Sequence, residues 1–159
     1  MDNIMKVKAA AIFPFIEEIL EQGQNSRITV TGSSMYPFLR DGVDSVEFSK
    51  GSFDSISRGD IVLIRRRDGA YVMHRVLKKE GISFYMVGDA QQWIEGPLYA
   101  DQLLAVVTAV YRKDRKIVCR SIWWRTLSGI WLWMLPCRHI VFKLYRGFRR
   151  LAPKKRRSS

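Results

Sequence analysis

The chain has 159 residues, enough to bury one ordinary core, and carries a formal charge of +12. That charge is unevenly placed: residues 1–111 hold 12 Lys and Arg against 14 Asp and Glu, whereas residues 112–159 hold 15 against one. The basic balance therefore says nothing about the body and assigns any attraction to polyanions to the C-terminal segment. The two cysteines, Cys119 and Cys137, both fall in that segment and read as free thiols, with no disulfide framework and no metal-ligand spacing. No metal and no cofactor is implied.

In chain order, Ile12, Phe15, Ile16, Ile19 and Leu20 recur at helical spacing opposite Glu17, Glu18 and Glu21. This predicts an amphipathic helix over about 7–22, ended by Gly23 and Asn25. It is too acidic and too short to read as a secretory signal or a spanning helix. Residues 28–31 are β-branched and read as a strand. The chain then breaks at Gly32 and is locked again at Pro37, so Ser33 and Ser34 sit on a rigid turn. Further strands are expected near 45–48, 60–66, 70–78, 82–87 and 103–111, with Asp68-Gly69 as a hairpin turn. In the fourth of these six strands Val72, His74 and Val76 share one face, so His74 sits among apolar neighbours. Strands at this density predict a mainly β fold, a small coiled antiparallel β barrel.

From Ile122 the character changes. Residues 122–135 are nearly all apolar and contain Trp123, Trp124, Trp131 and Trp133, with Arg125, Ser128 and Gly129 on a narrow polar stripe. After Pro136, Ile140, Val141, Leu144, Tyr145 and Phe148 oppose His139, Lys143, Arg146 and Arg150. An apolar run this short, with Arg125 inside it, does not span a bilayer. A membrane surface met through residues 121–150 is the expected partner, with Lys154-Lys155-Arg156-Arg157 drawn to anionic headgroups. The competing reading has the Trp residues covering the barrel. The organisation is thus an N-terminal helix (1–25), a β domain (26–112) and a Trp-rich basic tail (113–159).

Four segments carry a family resemblance: Ser34-Met35-Tyr36-Pro37, Arg58-Gly59-Asp60-Ile61-Val62, Met73-His74-Arg75-Val76 and Val87-Gly88-Asp89. In this order they resemble the boxes of the type I signal peptidases, membrane serine peptidases; the likeness covers roughly residues 27–111. Bacterial members carry a lysine where this chain has His74, so it is similar to the archaeal and endoplasmic-reticulum branch. The resemblance implies a β domain of the signal-peptidase type that cleaves a leader or signal segment from a precursor. It implies Ser34 as nucleophile and His74 as general base, since an unactivated hydroxyl needs a base within reach. Asp89 is the first candidate to orient His74, and Glu95 follows closely; Asp60 and Asp101 are lesser ones. The Ser34 amide is the natural oxyanion donor, assisted by Ser33 or Thr31, because Gly32 stands where bacterial relatives place a hydroxyl. Met35 and Pro37 are expected beside the substrate. The family's usual N-terminal anchor is not expected here. The basic tail favours the cytoplasmic side of a membrane, whereas ordinary signal peptidases act on the outer side.

Three other readings compete. A self-cleaving SOS-repressor domain would need a lysine at position 74 and a preceding DNA-binding unit. A nucleic-acid module would use the charge of the tail, but residues 122–135 are too apolar for that surface. A catalytically dead scaffold would not require Ser34 and His74 together.

Overall fold

The computed structural model describes residues 9–113 and 115–151. Helix α1 (Ala9–Glu21) is followed by β1 (Ser26–Thr29), β2 (Ser45–Lys50), β3 (Ile61–Arg65), β4 (Tyr71–Glu80), β5 (Ser83–Val87), β6 (Ile94–Tyr99), β7 (Leu103–Arg112) and β8 (Arg115–Val118). Two helices, α2 (Ile122–Trp133) and α3 (Arg138–Leu151), close the chain. The expected start of the first helix at Val7 and Lys8, and the basic run Lys154-Lys155-Arg156-Arg157, lie outside the described residues. So do the side chains of Tyr145, Arg146, Phe148 and Arg150.

All strand pairs are antiparallel, in the order β1-β2-β7-β3-β4-β5-β6, with β8 hairpinned onto β7. The expected barrel is not closed. Closure would require β1 to pair with β6, but among the described residues β1 bonds only to β2 and β6 only to β5. β6 is ill suited to a second partner, since Pro97 in its middle has no amide proton to donate.

The strongly curled sheet buries both of its faces, which explains why four of the five residues of β3 are buried. On one face Val46, Phe48, Ile61, Leu63, Ala105 and Val107 pack under Phe13, Ile16 and Leu20 of α1 and under Trp124 of α2. On the other, Val62, Ile64, Val76, Phe84, Met86 and Leu98 pack with Phe53 and Ile56 from the loop before β3. Each face encloses side chains worth about 1.5–3 kcal/mol apiece when fully removed from water. β4 is shared by the two cores, so Arg75 points to the first and His74 to the second.

The helix pair is built into the fold. Ser121 caps α2, accepting from the Trp124 amide. The inner face of α2 buries Trp124, Ser128 and Leu132. Phe38, on the turn that carries Ser34, meets Trp124 edge-on at 5.4 Å and Trp131 at 6.0 Å between ring centres. The outer face leaves Ile122, Trp123, Leu127, Ile130 and Trp133 in solvent, with Trp123 and Trp133 80% and 78% exposed. The reading in which Trp residues cover the β domain holds for Trp124, in the core, and Trp131 packs on Phe38 of the turn, whereas Trp123 and Trp133 face outward.

Candidate functional site

Ser34 lies on a turn fixed from three directions. Gly32 has φ +91°, a conformation that glycine adopts without a Cβ penalty. Its amide donates to Asp41 Oδ1 at 3.1 Å. After the serine, the Tyr36 amide donates to the Ser33 carbonyl and the Leu39 amide to the Met35 carbonyl. Beneath the turn, Asp44 is fully buried and accepts from the Arg40 amide, while Arg112 forks onto it at 3.0 and 2.8 Å. Burial works to raise the Asp44 pKa, but the bonds from Arg112 and Arg40 outweigh it and hold it below the usual value. A third Arg112 bond, 2.8 Å to the Phe38 carbonyl, ties the turn to β7.

The loop between β5 and β6 reaches both candidate catalytic residues. The Ala90 amide donates to the Ser34 carbonyl at 2.8 Å. Gly88 is required by that approach, because a Cβ there would stand 2.9 Å from the same carbonyl oxygen. Further along, Trp93 meets the His74 ring edge-on at 5.8 Å. Glu95 Oε2 lies 3.7 Å from His74 Nδ1. Glu95 is itself oriented by Arg66, whose Nε and Nη2 both donate to it, the latter at 2.6 Å.

His74 is 3% exposed, and its Nδ1 is buried with no hydrogen-bond partner among the described residues. Desolvation pushes its pKa down to about 4; Glu95 raises it and Arg66 lowers it further. At neutral pH the imidazole is uncharged and free to accept a proton. Protonation would draw Nδ1–H toward Glu95 and leave Nε2 as the other ring nitrogen.

Asp89, expected first as the orienter of His74, is held elsewhere. Both of its oxygens accept from Arg75, at 2.8 and 2.7 Å, in a pair with no exposure. Arg75 also bonds the Gly59 carbonyl and Ser128 Oγ, and stacks over Phe38 at 4.4 Å. Alternation along β4 separates the two: His74 takes Glu95 on one face, and Arg75 takes Asp89 on the other. Of the lesser candidates, Asp60 caps the Ser57 amide and lies 3.9 Å from Arg125, and Asp101 begins a short helical turn.

The remaining expected residues divide as well. Ser33 and Thr31 are exposed beside Ser34. Met35, expected beside the substrate, is instead buried with Leu39 in the core, where it anchors the turn. Pro37 is half-buried. Three residues of this neighbourhood were hidden in the sequence: Asp44, Arg112 and Arg138. The two arginines read there as part of a polycationic tail.

A cleft of about 330 Å³ opens between Arg58, Asp60, Arg125 and Trp133, and neither Ser34 nor His74 lines it. No described helix is long and apolar enough to cross a membrane. No protein-family model matches the chain, and no curated protein matches it.

Proposed function

We propose that the protein is a serine endopeptidase of the signal-peptidase type that removes a leader or signal segment from a precursor polypeptide. The observation that carries this reading is a buried, neutral His74 whose Nδ1 faces Glu95 of β6, just beyond the loop that hydrogen-bonds the backbone of Ser34. In the reaction, Ser34 Oγ attacks the scissile carbonyl as its proton passes to His74 Nε2. The imidazolium so formed is steadied by Glu95 and gives the proton to the leaving amine. Water then hydrolyses the acyl-serine with His74 acting as base again. The Ser34 amide, with Ser33 beside it, supplies donors to the oxyanion. Catalytic hydrogen bonds in a resting enzyme are often long and close only around substrate. An extended peptide substrate would bind along a sheet edge through main-chain bonds.

We place this activity at a membrane surface, on the cytoplasmic side. Support comes from the outer face of α2, with Ile122, Trp123, Leu127, Ile130 and Trp133 exposed, continued by Ile140 and Leu144 of α3. It comes equally from the excess of cations in residues 112–159.

The test is a mass-spectrometric map of protein N-termini in host membranes, comparing the native chain with Ser34→Ala, His74→Ala and Glu95→Gln. New termini that depend on Ser34 and His74 alike are the expected result. Identical termini from native and Ser34→Ala chains, both folded, would refute the assignment.

A further inference from the structure

Arg138, at the start of α3, has no exposed surface and, among the described residues, no carboxylate partner. Its guanidinium is satisfied by carbonyls alone. Nη1 donates to Gly88 at 3.0 Å and Gln91 at 3.3 Å, and Nε and Nη2 donate to Trp131 at 3.3 and 3.1 Å. Trp131, whose ring lies 5.0 Å beneath the cation, donates its own indole N–H to the Asp89 carbonyl at 3.1 Å. Three carbonyls of one four-residue loop thus accept from the C-terminal helix pair. The same loop sends the Ala90 amide to Ser34 and leads directly into Trp93 and Glu95.

A buried cation with no counter-charge is costly, and burial lowers the Arg138 pKa, with Asp89 raising it and Arg75 lowering it further. Apolar side chains could fill this volume at less cost. They could not bind two carbonyls of a turn and a third on a helix at once, which takes the planar fork of a guanidinium.

We infer that Arg138 is a positioning residue of the candidate site: it fixes the loop 88–91, and through that loop the backbone of Ser34 and the cover over His74. The C-terminal helix pair is then an arm of the site and not an appendage. The effect on turnover rests on the Ser34–His74 reading; the effect on the loop does not.

The experiment uses the full chain and residue-resolved amide exchange, together with titration of the His74 ring by NMR. Its variants are Arg138→Gln and Trp131→Phe, with Arg125→Gln, an exposed cation on α2, as control. In Arg138→Gln the Ala90 amide exchanges at least about tenfold faster. The His74 midpoint climbs from about 4 as water reaches the ring between Glu95, from β6, and Arg66, from the end of β3. The acid limb of any pH–rate profile follows that midpoint. Trp131→Phe gives a smaller change in the same direction, and Arg125→Gln gives none.

Wild-type exchange at Ala90 and a wild-type His74 midpoint in both variants would overturn the inference. So would an active chain in which Arg138→Gln frees Ala90 while rate and pH profile stay unchanged. If Arg138→Gln does not fold, Trp131→Phe decides alone, since it keeps an aromatic ring in place and removes one donor. A native chain that cleaves nothing, yet loosens at Ala90 in Arg138→Gln, leaves the clamp standing and removes the peptidase reading.

Discussion

A neutral imidazole buried at position 74 makes the fold sensitive to acid in a defined window. Desolvation places the native pKa at about 4, against an ordinary 6.5. The unfolded chain therefore takes up the proton first as pH falls. The stability that His74 contributes is whole above about pH 6.5 and is lost progressively toward pH 4. At pH 5 the unfolded imidazole is almost fully protonated and the native one almost fully neutral, a difference of about 2 kcal/mol; below pH 4 it grows to about 3 kcal/mol. Urea unfolding of the native chain and of His74→Gln, each at pH 8 and pH 5, isolates this quantity. Groups remote from residue 74 cancel between the two proteins, and the difference reports His74 with its coupling to Glu95 and Arg66. The native chain should lose about 2 kcal/mol more than the variant between the two pH values. Equal losses would show that His74 is not held neutral by burial, and the case for a ready base would fall with it. A companion titration checks the neighbours: Glu95→Gln should lower the His74 midpoint further, because the attraction of Glu95 disappears and Arg66 is left opposing the proton.

The two acids near the site should respond differently. Asp89→Asn breaks a fully buried ion pair and should cost about 3–5 kcal/mol in urea melts, with turnover lost through the fold. Glu95→Gln should cost about 1–2 kcal/mol and abolish turnover in a folded chain. The opposite ranking would mean that the roles are exchanged. At the outer face of α2, Trp123→Ser with Trp133→Ser should leave stability within about 0.5 kcal/mol, since neither ring is in the core. Binding to vesicles of phosphatidylcholine with phosphatidylglycerol should fall about tenfold or more. Unchanged binding would assign the outer face of α2 to another partner.

Local chemistry made much of this fold readable. The β-branched runs at 61–64 and 103–111 are strands, and the Asp68-Gly69 pair turns β3 into β4. Alternation along β4 placed His74 and Arg75 on opposite faces. What escaped did so for definite reasons. β6 contains Glu95, Gly96 and Pro97, none of which favours a strand, and it forms only because β5 offers it an edge. β8 lies in a run of arginines and lysines that reads as a solvated tail, yet its backbone pairs with β7 regardless of those long side chains. Asp89 and Glu95 could not be told apart by spacing from His74. The distinction arises from the bulges that reset register in β4–β5 and β5–β6 pairing, which no periodicity encodes. Arg138 counts as one of many positive charges in the sequence; only its three carbonyl partners, the nearest loop partner 47 residues away, single it out.

The dependence of the loop 88–91 on residue 138 also orders events in time. During synthesis the serine, the histidine and both acids leave the ribosome long before the guanidinium that holds their loop together. A nascent chain thus carries all of these groups before the residue that braces their loop, so on the proposed reading the site cannot be aligned until residue 138 has emerged.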